Sequence, residues 1–377
     1  MKVLLGLSGG VDSAVACYLL QKQGYEVEAC FMRNWDALAN NDYLGNPTIG
    51  NSQCPQEADY WDAVKVAERL GVKLHRSDFV KEYWENVFSY FLKEYEKGRT
   101  PNPDVFCNKY IKFDSFRTFA KGLGIDTIAM GHYAKRIEFA GHSYIGKAHD
   151  LNKDQSYFLA QLNEEQVASC LFPLSEITKP EVREIAHALG LESVMDKRDS
   201  TGVCFIGERN FRQFLQNYFP AKKGKIIEGK TGKVLGEHIG VLYYTLGQRH
   251  GLGIGGVKGE EDSPLFIYKK DVKNNILYVA HAGDDSLLES DECHLDSINW
   301  VGPKPEGSLE VGVKFRYRQK DQPCTLSFVG ENIHLHYENH PVKAVTPGQI
   351  AAIYDGDRLL GSGIIESVYR HGERTDD

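Results

Sequence analysis

The sequence predicts an α/β domain with a parallel sheet, then a small β-rich central domain and a C-terminal β-barrel. Three observations carry this. Residues 1 to about 208 alternate apolar runs of strand length with helical periodicity, the pattern of a parallel sheet covered on both faces. From about residue 224, short β-rich runs alternate with glycines. From about 285 to 370 the pattern is all-β with turns such as Asp355-Gly356, and a small barrel is its natural packing. A chain of 377 residues has room for two or three domains, and the boundaries are set at 1–208, 209–283 and 284–377.

Composition narrows the class. The 42% hydrophobic and 25% charged content is that of a globular protein in water. No apolar run has the length of a membrane span. Lys2 is the only charge ahead of the first strand, so neither a signal nor a transit peptide is expected and a cytoplasmic location is. The net charge of −8 argues against indiscriminate nucleic-acid binding, although local basic patches can still bind. Cysteines stand at 17, 30, 54, 107, 170, 204, 293 and 324, and none forms a Cys-x-x-Cys. A structural zinc site is therefore not expected, no metal ligand set is read, and most of the thiols should be reduced and fill the core.

The first element is the most informative. Val3 to Leu7 has strand length, Ser8-Gly9-Gly10 is a tight turn, and Val11, Val15, Tyr18 and Leu19 recur at helical spacing. Such a turn places backbone N–H groups at a helix N-terminus, where they hold an anion. The glycines let the backbone approach a phosphate without a Cβ in the way. Ser8 and Ser13 add hydroxyls, and Asp12 suits a magnesium ion carried by a nucleotide. No Gly-Lys-Ser/Thr closes the turn, so it is not a Walker A loop. Ser-Gly-Gly-x-Asp-Ser after an apolar strand resembles the pyrophosphate loop of the ATP pyrophosphatase superfamily. That resemblance implies cleavage of ATP between the α- and β-phosphates and adenylation of a carbonyl oxygen.

Further along, Glu26–Arg33 reads as a strand, 36–55 as a long polar loop, Gln56–Leu70 as a helix closed by Gly71, and Lys73–Arg76 as a strand. Val80–Glu96 is an amphipathic helix. Thr100-Pro101-Asn102-Pro103-Asp104 is a proline-stiffened approach to a helix running from about Cys107 to Gly122. Cys107 then sits near a helix start with Lys109 close by, a setting that favours a thiolate, with Asp104 placed to exchange a proton. The residues alone favour a thiol that merely fills space at a helix end. Thr127–Met130 is a strand leading into Gly131-His132-Tyr133, a polar cluster at the end where open α/β sheets bind ligands. A hairpin turning at Gly141, a helical run Tyr157–Leu162 and a helix Pro180–Leu189 follow. Residues 199–208 form a second Gly-bearing loop, carrying Cys204, before a helix Phe211–Tyr218.

In the β-rich part, strands are read at Lys225–Ile227, Val241–Thr245, Pro264–Lys269 and Ile276–His281. Gly251-Leu252-Gly253-Ile254-Gly255-Gly256 matches a dinucleotide fingerprint, but no strand precedes it and no helix follows, so it reads as a loop. Later strands are read at Leu309–Phe315, Pro323–Phe328, Asn332–Tyr337, Gln349–Tyr354 and Arg358–Ile365, with the last eight residues frayed. Lys314 to Lys320 interleaves bases with aromatics, which suits a nucleic-acid backbone or a charged strand edge.

Taken in order, the motifs resemble the tRNA-specific 2-thiouridylases. They are Gly-Leu-Ser-Gly-Gly-Val-Asp-Ser at 6–13, Thr-Pro-Asn-Pro-Asp at 100–104, Cys107-Asn108-Lys109, Gly131-His132-Tyr133 and Lys153-Asp154-Gln155-Ser156-Tyr157. Asp199 to Glu208, Leu246-Gly247-Gln248-Arg249, Arg316-Tyr317-Arg318-Gln319 and Val345 to Gln349 complete the set. The resemblance implies an adenine nucleotide α-hydrolase-like fold for the first domain. It implies ATP, with Mg2+, at Gly6, Leu7, Ser8, Gly9, Gly10, Val11, Asp12 and Ser13, with Met32 and Gly131 near the adenosine. It implies that O2 of the wobble uridine is adenylated and that a persulfide on Cys204 supplies sulfur at C2. Cys107 either releases that sulfur as sulfide or takes part through a Cys107–Cys204 disulfide, and Asp104 is the acid/base candidate. Asn102, Pro103 and Asp104 would receive the base. Contacts to tRNA would come from His132, Lys153, Asp154, Gln155, Arg316, Tyr317 and Gln349. The implied partners are tRNA, with Lys, Glu and Gln acceptors, and a cysteine desulfurase or sulfur-relay protein. Two rivals remain at this level: another ATP pyrophosphatase, and a tRNA-binding protein that keeps the fold without catalysis.

Overall fold

The computed structural model describes residues 1–44, 46, 55–198, 210–254, 264–337 and 339–375. The first domain is built on strands β1 (Lys2–Gly6), β2 (Glu26–Arg33), β3 (Lys73–Asp78) and β4 (Thr127–Ala129). A hairpin of β5 (Ala134–Phe139) and β6 (His142–Lys147) follows, and the chain returns as β7 (Cys170–Leu171). The sheet order is β3-β2-β1-β4-β7, and every pairing is parallel. Val3, Leu4 and Leu5 of β1 are fully buried. Leu4 enters one core and Val3 and Leu5 the other, as the two-residue period of a strand covered on both faces requires.

The order reverses beside β1. β2 and β3 extend to one side, and the chain then crosses to lay β4 on the other. The loops after β1 and β4 therefore meet at a switch point, the position where open α/β sheets bind ligands. They meet closely: a Cβ on Gly131 would lie 3.0 Å from the backbone of Ser13.

The helix read from about Cys107 begins earlier, at Pro103. Asn102 caps it by accepting from the Asp104 amide at 3.2 Å, and Pro103 stands in its first turn, where a missing N–H costs nothing. Cys107 is thus a full turn into the helix, at the head of a stretch of wider π turns, Cys107–Ser115. It is completely buried. The helix-terminus argument for its thiolate does not hold in this geometry. Lys109 also turns away, donating to Gln161 Oε1 at 3.0 Å.

The central sheet joins β8 (Gly224–Glu228), β9 (Val234–His238), β10 (Leu265–Asp271) and β11 (Ile276–His281) in the order β10-β11-β8-β9. The expected strand at 241–245 is instead a helical turn, Val241–Tyr243. Gly240, at a φ of 146°, bends the chain there, and the Asn275 side chain takes the Val241 amide at 3.1 Å.

In the last domain a short pair, β12 (Glu289–Ser290) with β17 (Val342–Lys343), sits beside a barrel. Its strands are β13 (Glu292–Trp300), β14 (Leu309–Lys314), β15 (Gln322–Val329), β16 (Asn332–His336), β18 (Ile350–Asp355) and β19 (Arg358–Arg370). They run β13-β16-β15-β14-β18-β19 and close by pairing β13 with β19, so the barrel leaves no open edge of its own. The end of the chain is not frayed up to Thr375: Glu373 and Arg374 pair back onto β19. β6 also pairs with β19, through Ile145 with Leu359 and Gly146 with Arg358. The hairpin of the first domain is thereby stitched to the barrel, and one apolar core takes residues from all three domains, among them Leu4, Ile226 and Ile350.

Candidate nucleotide and base site

The turn after β1 is tight enough to be a cradle. Gly9 has a φ of 72°, and a Cβ there would stand 2.2 Å from the Asp59 carbonyl oxygen. Only glycine fits. Gly10 precedes the helix Val11–Lys22 without a side-chain cap, so its first amides remain for an incoming anion. The Ser13 hydroxyl donates to Gly10 O at 3.0 Å and accepts from the Ser8 amide at 3.1 Å, which fixes the turn from inside. The floor is apolar. A Cβ on Gly6 would lie 2.9 Å from Met130 Sδ and 3.0 Å from Met32 Cε, so the two methionines close over β1. The expected nucleotide residues 6–13, Met32 and Gly131 are therefore adjacent.

Three side chains that the sequence reading did not assign hold this cradle. Tyr133 donates to Asp12 Oδ1 at 2.8 Å, and Lys179 donates to the same oxygen at 2.6 Å. Lys197 bonds Gly9 O at 3.0 Å, Asp59 at 2.6 Å and Asp62 at 3.0 Å. Burial pulls the Lys197 ammonium down, but the two aspartates outweigh it and hold it above its ordinary range. Lys179 lies 167 positions from Asp12. The one local signal was a lysine in the first turn of the helix Lys179–Ala188, a place where the helix dipole disfavours a cation. Both bonds to Asp12 fall on Oδ1, which leaves Oδ2 as the oxygen for a hard cation.

The approach to Asn102, Pro103 and Asp104, the residues expected to receive the base, is clamped from several sides. The Thr100 amide donates to Pro347 O at 3.0 Å, and Gln349 Nε2 donates to Thr100 O at 2.7 Å. Arg99 pairs with Glu366 at 2.5 Å. Lys270 donates to Gly98 O at 2.8 Å, and Thr245 Oγ1 lies 3.3 Å from Thr100 Oγ1. Gln349, expected to touch tRNA, is thus a strut of the loop that carries Asn102, Pro103 and Asp104. His132 is buried, and its Nδ1 has no hydrogen-bond partner among the described residues. Burial, with Lys112 nearby, pushes its pKa well below the usual histidine range, so it is a neutral ring with a polar atom to spare.

The other expected contacts divide. Asp154 turns inward, accepting from Ala148 N at 3.1 Å, Ser156 Oγ at 2.8 Å and Lys314 Nζ at 3.0 Å. Gln155 accepts from the Tyr133 amide at 2.9 Å, so it supports the residue that holds Asp12. Lys153 is half-buried and Arg316 exposed. Tyr317 packs on Phe158 with ring centroids 4.4 Å apart, joining the barrel to the first domain. The Phe158 carbonyl in turn accepts from Asn108, next to Cys107, at 3.0 Å.

Cys204, Cys54, the end of the fingerprint-like run and residues 45 and 47–54 of the 36–55 loop lie outside the described residues. Five other thiols behave as core. Burial pushes Cys17 to about 12, Cys30 to about 11 and Cys324 to about 12, and moves Cys170 and Cys293 up as well.

Three family models cover the chain. They are described as a tRNA methyl transferase HUP domain over residues 1–208, a tRNA methyl transferase PRC-barrel domain over 212–281 and an aminomethyltransferase β-barrel domain over 290–365. Among curated relatives, the tRNA-specific 2-thiouridylase MnmA of Mycoplasma capricolum is 52% identical over 98% of this chain and 99% of its own length. The protein of the same name from Mesoplasma florum is 53% identical over 97% and 99%. That of Shewanella sp. strain MR-7 is 50% identical over 98% and 97%. With half of its residues shared across nearly its whole length, the chain belongs to the tRNA-specific 2-thiouridylase family.

Proposed function

We propose that this protein is an ATP-dependent sulfurtransferase that converts the wobble uridine of tRNA to 2-thiouridine. The observation that carries the reading is the glycine cradle at the sheet switch point, with the uncapped first amides of the helix that follows it. The buried helix bearing Asp104 and Cys107 packs into the same apolar core as Met32 and Met130 beneath that cradle. A methyl transfer, which two of the family descriptions name, leaves a phosphate-sized cradle without a task.

ATP is the co-substrate, its phosphates against Ser8 to Ser13 and its adenosine toward Met32 and Gly131. Magnesium fits as a companion of the phosphates with Asp12 as its protein oxygen, and there it would neutralise phosphate charge. Uridine O2 is a poor leaving group, so it is first bonded to the α-phosphate with loss of pyrophosphate. A persulfide on Cys204, loaded by a cysteine desulfurase or relay protein, brings the sulfur. Attack by the Cys107 thiolate on the Cys204 sulfur releases sulfide and leaves a Cys107–Cys204 disulfide. Sulfide adds at C2, AMP departs with the former O2, and a thiol reductant restores both cysteines. The role of Asp104 is to move a proton at the base. His132, neutral with a polar atom unspent, is suited to a hydrogen bond with the extruded nucleotide. The domain divisions after residues 208 and 283 belong to the same proposal.

The test is to load the protein with labelled sulfur from a desulfurase and map it. Cys204→Ser should abolish loading at that position, whereas Cys107→Ser should load and fail to transfer. Normal thiolation by either variant would sink the two-cysteine route.

A further inference from the structure

Glu292, His294, His334 and His336 stand together on the outer wall of the barrel, and the thiolation reading uses none of them. They come together because β13 and β16 pair antiparallel, with Glu292 opposite His336 and His294 opposite His334. Strand alternation sends Cys293, Leu295, Ile333 and Leu335 into the barrel core and these four to the other face.

The four side chains converge. His294 Nε2 lies 2.7 Å from Glu292 Oε1, and His334 Nδ1 lies 3.4 Å from the same oxygen. His336 Nδ1 is 3.5 Å from the other carboxylate oxygen. The rings of His294 and His334 stack with centroids 3.5 Å apart. Only the first of these contacts has the length of a good N–H···O bond, so one carboxylate is crowded by more imidazole nitrogens than it binds well. Ligand atoms of Glu292, His294 and His334 all fall within 4.8 Å of one another. Around a tetrahedral zinc ion with bonds of about 2.0–2.1 Å, ligand atoms are about 3.3 Å apart, so the set closes when the side chains draw together and the stacked rings, 17° apart, turn their nitrogens to one centre.

We infer that Glu292, His294 and His334, with His336 beside them, form a site for a borderline divalent cation of the zinc class. Imidazole nitrogens with one carboxylate are the donors such an ion selects, and magnesium, which demands an octahedron of oxygens, is not retained by them. Supporting contacts are already in place. Tyr369 packs on the His294 ring at 4.3 Å. Ser327 Oγ lies 3.2 Å from His336 Nε2, which directs Nδ1 of that ring toward the carboxylate. An ion here would pin β13 to β16 on the barrel wall, and its effect falls on stability. The sequence reading expects no metal site from the absence of Cys-x-x-Cys, a criterion that bears only on thiolate sites. The legible signals were His-x-His at 334–336 and Glu-x-His at 292–294, each placing two ligands on one face of a strand.

The test is calorimetric titration of the chelator-stripped full chain with Zn2+ and with Mg2+, for the wild type, His294→Ala, His334→Ala and Glu292→Gln. Each histidine variant should bind one equivalent of zinc fewer than the wild type, and zinc should raise the wild-type Tm more than theirs. Magnesium should give no heat at this site. Cysteine sites are common to all four proteins, so the difference isolates the cluster. Should a histidine variant fail to fold, Glu292→Gln, which keeps the size and the hydrogen-bonding capacity, decides by a loss of zinc affinity. Unchanged zinc stoichiometry and affinity across the variants, or displacement of zinc by equimolar magnesium, would overturn the site.

Discussion

The phosphate cradle and the base-receiving segment are built on opposite plans. The cradle is internal to one domain: Ser8, Gly9, Asp12 and Ser13 are fixed by each other and by Tyr133, Lys179 and Lys197. The segment around Thr100 is held from outside, by Pro347 and Gln349 of the last domain and by Lys270 and Thr245 of the central one. On the proposed function, ATP chemistry is set by the first domain, whereas the place for the base depends on the docking of all three domains. Nucleotide handling and tRNA response should separate under mutation.

The largest effect is expected at the cradle. Asp12→Asn keeps the size but loses the charge that pairs with Lys179 and suits a cation, so AMP formation should fall about 100-fold or more with the far-UV circular dichroism unchanged. Normal AMP formation by this variant would remove the nucleotide assignment. Gln349→Ala should act on the other half. It removes one bond to a backbone carbonyl, about 1–3 kcal/mol where that carbonyl is left unpaired, so the KM for tRNA should rise about tenfold or more while ATP affinity holds. An equal loss of both would mean that the two halves are one.

Lys270 sharpens the same contrast through pH. Burial pulls its pKa down to about 7, against about 10.4 for a free lysine. The unfolded chain then binds more protons between these values, so folding stability should rise as pH increases from about 7 toward about 10. Lys270→Met should lose that rise in denaturant titrations at two pH values, and a parallel pH dependence in both proteins would contradict it. The smallest effect belongs to Arg316, exposed beside the Tyr317–Phe158 ring contact. Arg316→Ala should flatten the slope of log affinity for tRNA against log salt by about one unit, as removal of one phosphate contact does.

What was legible follows the same division. The strand, turn and helix of residues 2–22 are legible because the apolar run, the glycines and the helical spacing that define them are local in sequence. Lys197 is not, since it reaches Gly9 across 188 positions. Pro103 reads in the sequence as part of a stiff approach to the helix, whereas it is the helix's first residue, capped by Asn102. That error moved Cys107 to a terminus it does not occupy. The strand Cys170–Leu171 is two residues long and leaves no periodic pattern. Asp154 and Gln155 carry an expectation of tRNA contact, and in the structure Asp154 is buried against Lys314 and Gln155 accepts from the Tyr133 amide, pairings between residues distant in sequence. The joining of β6 to β19 spans more than 200 residues and has no local signal.

The central claim is that ATP activates the same base that receives sulfur. The most direct measurement supplies unmodified tRNA, ATP and a cysteine desulfurase with labelled cysteine, then quantifies AMP and labelled 2-thiouridine from the digested tRNA. The account predicts equal amounts of AMP and 2-thiouridine, with both falling together by about 100-fold or more in Asp12→Asn. Labelled 2-thiouridine formed without AMP, or AMP formed equally well without tRNA, would contradict it.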